Sequence, residues 1–360
     1  NKADSAGSAV TKTLSKVSLS SDRHSNTNNN SLEAILKRIG FTIFQEIQDL
    51  GYFSFQPITK KPGKITSHKE IIKRLRTHDV QPDSIHEMER LKQQLPLDFL
   101  QNMKRHVLPQ SHPPGAYFGV PVHVALYHRN LGAEWKDKLT FCLGGSTLDV
   151  LANQKIKKKD TYVGARIVGT NIIMICKHSP YNMNLNDVGF QFERWVTGKQ
   201  LNDRHSTELM DHIQLMQVGS HYCLFGADCD ATHQGAPVEI KTTDPKQWKT
   251  KTMFQMISSG SQHLVYGKKA KGGTRLLDVQ ILSLEEVASR SSKHRHGEME
   301  RNIVSGLDQL RACWDDLGQD DYEMKSLHFE EGSWRLKRFN KPVTPPTEVL
   351  RQLMSAPSQS

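Results

Sequence analysis

No run in this sequence approaches the roughly 18 consecutive apolar residues that a membrane-spanning helix needs. Its first 30 residues also lack the apolar core of a signal peptide. A soluble, intracellular chain with no membrane partner is the expectation. Cysteine is scarce: Cys142, Cys176, Cys223, Cys229 and Cys313 form neither a CxxC pair nor a Cys/His zinc spacing, which argues against a disulfide framework or zinc module and for a reducing compartment. The 17 histidines include no H-E-x-x-H spacing, and His294 and His296, in a polar stretch, are given no role. No nucleophile elbow supports Ser-His-Asp chemistry. Lys271-Gly272-Gly273-Thr274 lacks the phosphate-loop pattern and reads as a turn, and no repeat of solenoid period is present. Acidic residues are outnumbered, 38 Asp+Glu against 48 Lys+Arg, and the resulting net charge of +10 favours a polyanionic partner, either nucleic acid or an anionic membrane surface.

What is present is enough for a folded core. The chain has 360 residues, of which 36% are hydrophobic. Residues 1–30 are rich in Ser, Asn, Thr, Lys and Asp without apolar periodicity, and are expected to be a disordered tail. An opening on Asn1 is what a fragment or processed chain would show. From Ser31 the spacing of Leu32, Ile35, Leu36 and Ile39 predicts a capped amphipathic helix. Short apolar runs at 139–141, 162–168, 172–176, 221–225 and 238–240 predict strands. Helical character falls at 187–195, 250–258 and 298–314, the last placing Ile303, Leu307, Leu310 and Cys313 on one face. Lys73, Arg74 and Arg76 read as the wet face of a further helix. The pattern predicts one α/β (α+β) domain over residues 31–345, built on a central mixed sheet flanked by helices, followed by a flexible C-terminal tail over 346–360.

The stretch that carries chemistry is Phe225-Gly226-Ala227-Asp228-Cys229-Asp230, followed after a small-residue turn by Val238-Glu239-Ile240-Lys241-Thr242. On strands, Asp228 and Asp230 share a face, as do Glu239 and Lys241. If the two strands pair as neighbours, three carboxylates and an ammonium converge. Such oxygen donors suit Mg²⁺ or Mn²⁺, and two such ions about 4 Å apart can stabilise the entering and leaving oxygens of a phosphodiester. Lys241 is placed to orient or help deprotonate the attacking water. Acidic pairs at strand ends and Glu-x-Lys on a solvated face are also ordinary surface chemistry, so neither half of the pattern is diagnostic alone. Cys229, between the aspartates, turns to the opposite face and reads as a buried apolar residue rather than a nucleophile.

Together these residues resemble the D…(D/E)-x-K signature of a nuclease superfamily, and further segments narrow the resemblance. Gly189-Phe190-Gln191-Phe192-Glu193 resembles the G-x-x-x-E motif of the DXO-type decapping exoribonucleases. Gly219-Ser220-His221, Met253-Phe254-Gln255 with Gly260, Val265-Tyr266-Gly267 and Gly51-Tyr52-Phe53-Ser54 are similar to other segments of that family, in its order, across about residues 45–335. The resemblance implies that Glu193, Asp228, Asp230 and Glu239 are metal ligands for one or two Mg²⁺ or Mn²⁺ ions, with the Ile240 carbonyl completing the shell. Lys241, Gln255 and Glu193 would face the substrate. It further implies removal of incomplete or non-standard RNA 5′ caps, 5′-to-3′ exoribonuclease activity at the same site, RNA 5′ ends and an exoribonuclease protein as partners, a monomer, and a nuclear location with the cytoplasm as alternative.

Two positions depart from the family pattern. Asp228 stands where glutamate is usual, one methylene shorter. Cys142-Leu143-Gly144 aligns with a W-R-G segment, and leucine cannot replace a phosphate-facing guanidinium. Either the alignment slips, another cation substitutes, with Arg166 a nearby candidate, or the activity is altered. Two basic runs could guide an RNA backbone, Lys155, Lys157, Lys158 and Lys159, and the more favoured Lys268, Lys269 and Lys271. Two other function classes stay open: a non-cutting protein that binds RNA ends or a partner, and a DNA nuclease.

Overall fold

In this computed structural model the described residues are 31–55, 75–76, 81–99, 138–167, 170–178, 187–199, 209–248, 250–271, 273–290, 295–319 and 321–339. The two expected tails, together with Lys73, Arg74 and His294, lie outside them. Helix α1 (Leu32–Ile39) begins at Ser31, whose hydroxyl accepts from the Ala34 N–H at 3.2 Å. It buries Leu32, Ile35 and Leu36, three of the four residues whose spacing predicts it. His296 is a structural residue: its Nδ1 lies 2.8 Å from the Ile39 carbonyl and its ring stacks on Phe41.

The strands form two sheets. The larger has nine strands in the order β14 (Ser333–Arg338), β13 (Lys325–Glu330), β5 (Thr161–Arg166), β6 (Ile173–His178), β4 (Leu139–Gly144), β8 (His221–Asp228), β7 (Leu209–Val218), β1 (Phe44–Phe55) and β2 (Leu75–Arg76). It is mixed: β4 runs parallel to both β6 and β8, and the other pairings are antiparallel. The smaller sheet has the order β3 (Leu97–Asp98), β12 (Arg275–Ser283), β11 (His263–Lys269), β10 (Ala236–Lys241) and β9 (Ala231–His233). The mixed, helix-flanked sheet expected from the sequence is therefore present, with a second sheet beside it. Leu75 and Arg76 belong to β2 and pair with Phe55 and Ser54 of β1. The helix expected around them is overridden there by strand pairing.

Helix α2 (Met88–Lys92) lies against β12. Helices α3 (Thr147–Asn153) and α7 (His296–Asp316) pack together over the large sheet, and α4 (Val188–Val196) covers β10 through Phe192, Trp195 and Val196. Helix α5 (Lys251–Ser259) touches β7 and β8 of one sheet and β10 of the other, and α6 (Leu284–Ser289) packs beside it. Met253, Phe254, Met256 and Ile257 of α5 are fully buried in a core that includes Phe225 and Met216 from the large sheet and Leu264 and Tyr266 from the small one. Burial of each such side chain contributes about 1.5–3 kcal/mol, so α5 is the brace that fixes one sheet against the other.

Candidate active site

The acidic stretch lies at the seam between the sheets. β8 ends at Asp228 in register with Asp211 of β7, and the Cys229 N–H donates to the Met210 carbonyl at 2.7 Å. By Ala231 the chain has begun β9, whose Ala231 pairs with Val238 of β10. β8 and β10 thus do not pair with each other, contrary to the arrangement considered from the sequence. Convergence comes from one strand leaving the large sheet and entering the small one across Cys229 and Asp230. Cys229 is buried, as its alternation predicts, with its thiol 3.3 Å from the Ala231 carbonyl.

Asp230 Oδ2 accepts the Ile240 N–H at 2.8 Å. Within a strand, a residue's N–H and C=O share an edge, so the Ile240 carbonyl is directed to the side on which Asp230 stands. Lys241 forms an ion pair with Glu239, which is itself buried. Burial and the repulsion of Glu239 push the Asp230 carboxyl up to about 7, although Lys241 and the Ile240 N–H oppose the rise. Burial, then Asp230, hold Glu193 well above the ordinary carboxylate range. At Lys241 burial would lower the ammonium, but Glu239 and Asp230 more than offset it and the net shift is upward. In this arrangement the neighbouring acids hold Lys241 as a cation.

Asp211 was not among the residues singled out from the sequence. Burial, followed by the Asp228 charge, raises it well above its usual range, and its carboxyl hydrogen-bonds to that of Asp228. Burial likewise raises Asp228, and the bond from Asp211 partly offsets this. Two carboxyl groups so placed disfavour ionisation of both together. The spacing within Leu209–Val218 gave no sign of it, because the acid is completed only by the cross-strand register.

These groups open onto a cleft of about 420 Å³ whose lining includes Asp211, Asp228, Asp230, Glu239, Lys241 and Gln255. Glu193 and Ile240 are not lining residues; Glu193 adjoins the same carboxylates from α4. Leu143 lies at the cleft floor, fully buried and in register with Ile175 and Phe225. Arg166, the candidate substitute cation, is completely buried away from the cleft, where its Nη2 donates to the Trp314 carbonyl at 2.7 Å beneath α7. The cations that do line the cleft are Lys155, Lys157, Lys177, Lys241 and Lys251. Part of the first basic run reaches the cleft, while Lys268, Lys269 and Lys271 are not in its lining.

Helix α5, which carries Lys251 and Gln255, is held at both ends. Asp149 Oδ1 accepts from Thr250 at 2.7 Å and from Asn153 at 2.9 Å. At the other end, the carbonyls of Ile257 and Ser259 meet Gln214 Nε2 at 2.5 Å and His212 Nδ1 at 2.7 Å. Gly260 then closes the helix at φ +73°, and a Cβ there would lie 3.0 Å from the His212 ring. Lys251 is lowered by burial and then by Lys241, Lys177 and Lys157.

Among the described residues, no three Asp, Glu, His or Cys side chains stand in a ready-made metal-binding geometry. Three of the carboxylates are engaged within the protein: Glu239 by Lys241, Asp230 by the Ile240 N–H and Asp228 by Asp211. The donor chemistry nonetheless fits a hard divalent cation. The donors are all oxygen, and their raised affinity for protons measures a shortage of positive charge that such an ion would supply.

No family model and no curated protein matches the sequence. Solved structures do match the fold. Rai1 from S. pombe superposes with a TM-score of 0.58 at 13% identity, covering 82% of this chain and 94% of that one. K. lactis Dxo1 in complex with manganese gives 0.57 at 9% identity, covering 84% and 92%. Candida albicans Rai1 in complex with pU5-Mn²⁺ gives 0.56 at 13% identity, covering 87% and 97%. With its acids and lysines set around one cleft at the junction of two sheets, the chain has the fold of the Rai1 and Dxo1 structures, the fold that its resemblance to the DXO-type decapping exoribonucleases implied.

Proposed function

We propose that this protein is a metal-dependent hydrolase of RNA 5′ ends that removes incomplete or non-standard caps and degrades the exposed RNA 5′-to-3′. The observation that carries the reading is the gathering of Glu193, Asp228, Asp230, Glu239 and Lys241 beside a lysine-lined cleft. The manganese of K. lactis Dxo1 and the pU5-Mn²⁺ of Candida albicans Rai1 agree in ligand class with that combination. Glu193, Asp228, Asp230 and Glu239 would hold the Mg²⁺ or Mn²⁺, with the Ile240 carbonyl at the same edge. A bound ion of this kind supplies Lewis-acid stabilisation of phosphate oxygens and a more acidic water. Lys241 holds a proton at Nζ and faces the charge that builds on the scissile phosphate. Gln255, set rigidly on α5, orients the substrate, and the cleft walls exclude bulk water from it.

The test is release of nucleotides from 5′-monophosphate and 5′-capped RNA with Mg²⁺ or Mn²⁺. Wild type is expected to form products, and Asp230→Ala/Glu239→Ala to lose at least about a hundredfold in rate. A second reading, an RNA-end-binding protein that does not cut, is favoured by Leu143 at the position of the family arginine. It takes over if wild type and the double variant bind RNA and are equally inert.

A further inference from the structure

Four of the cleft's five lysines come from three separate parts of the fold, and none of them is part of the acidic cluster. Lys155 and Lys157 follow α3, Lys177 ends β6, and Lys251 opens α5, yet all line one cavity with Asp228, Asp230 and Glu239. Lys177 is paired to Asp160 at 2.9 Å. Among the described residues no ion pair within 4 Å engages Lys155, Lys157 or Lys251. Two acids, Asp149 and Asp160, line the same wall, so four ammonium groups stand against two carboxylates; the repulsion left over costs free energy, and Lys251 is lowered first by burial and then by Lys241, Lys177 and Lys157, with Asp149 opposing. An anion placed among them removes that cost.

The position of Leu143 gives the cluster its meaning. Leu143 of β4 is in register with Ile175 of β6, and both side chains join the same core. By strand alternation Lys177, two residues on, rises from the same face of the sheet. A cation thus stands one step along the adjacent strand from where a guanidinium is missing, nearer the cleft mouth than the buried leucine. Resting on the reading proposed above, we infer that Lys155, Lys157, Lys177 and Lys251 form a phosphate-binding wall that takes over the task of the absent arginine and grips the 5′-terminal phosphate of an RNA chain. The acids and the wall divide the substrate between them: the scissile phosphate sits at the carboxylates, and the terminal phosphate sits among the ammonium groups. A point charge on a flexible stem replaces a bidentate fork, so four lysines gather where one arginine would serve.

The inference is tested by equilibrium binding in EDTA, where no cutting occurs. The probes are a 3′-fluorescein pentauridylate with a 5′-phosphate and its 5′-hydroxyl twin. Wild type is expected to prefer the phosphorylated probe by about tenfold, as loss of charge-assisted hydrogen bonds to a phosphate implies. Lys177→Met/Lys251→Met is expected to bind both probes equally. Lys157→Met, at an exposed position, is expected to lose part of the preference without risk to folding. Lys268→Met/Lys269→Met, outside the cleft, is expected to keep it in full. No preference in wild type, or an undiminished preference in both cleft variants, overturns the inference. Because nothing is cleaved, a protein that discriminates 5′-phosphate through these lysines yet never cuts RNA would keep the inference while refuting the hydrolase reading.

Discussion

Asp211 and Asp228 face each other across the β7–β8 ladder with their carboxyl groups hydrogen-bonded, so the first acid of the site is oriented by a second. Asp211→Asn still offers an N–H to Asp228 and is expected to retain most metal-dependent turnover. Asp211→Ala is expected to lose about 10- to 100-fold, the usual effect of removing the partner of a ligand, with single-turnover RNA cleavage as the measurement. Asp230 makes a different prediction. Its carboxyl titrates higher in the folded protein, about 7, than in an unfolded chain. The sign follows: stability from protonated Asp230 is fully present below its unfolded value and is lost as pH rises through the folded one. In EDTA the melting temperature should therefore fall between about pH 4 and pH 7. Saturating Mn²⁺ should reverse the trend, raising stability by about 2.7 kcal/mol at a hundred times Kd, and more at pH 8 than at pH 5.5. Equal melting curves with and without Mn²⁺ at both pH values would refute the ligand assignment.

Among the elements, α5 matters most for the cleft, and its C-terminal turn is the place to disturb it. Gly260→Ala imposes a side chain at φ +73° and within 3.0 Å of His212, a cost of about 1–3 kcal/mol. It is expected to lower the midpoint of urea unfolding, and to weaken turnover further by moving Gln255. The same turn explains what sequence reading could reach. Helices α4, α5 and α7 were legible because their apolar residues keep the 3.6-residue period, and β4, β5, β6, β8 and β10 because each is a short apolar run. β7 was not. Its His212 and Gln214 are buried polar residues whose partners are α5 carbonyls, so the period-two signal is broken by a contact some 43 residues away in sequence. The site followed the same rule. Local spacing exposed Asp228, Asp230, Glu239 and Lys241, whereas Asp211 and the lysines beside Leu143 depend on which strands become neighbours.

Across the whole molecule, the +10 charge is not spread evenly in effect: the cleft sets five lysines among six acids, of which Asp211, Asp228, Asp230 and Glu239 stand at the seam and Asp149 and Asp160 among the lysines. No helix among the described residues is long and apolar enough to cross a membrane. The strand that passes from one sheet to the other at Cys229 and Asp230 has a mechanical meaning as well. Asp228 is anchored in the large sheet and Glu239 in the small one, so any cation that binds both acts as a rivet between two plates otherwise joined by α5 and packing. Amide exchange at β9 and β10 should slow when Mn²⁺ is added, while β13 and β14, far along the large sheet, exchange as before. A metal held by both acids would then also set the stiffness of the joint between the sheets.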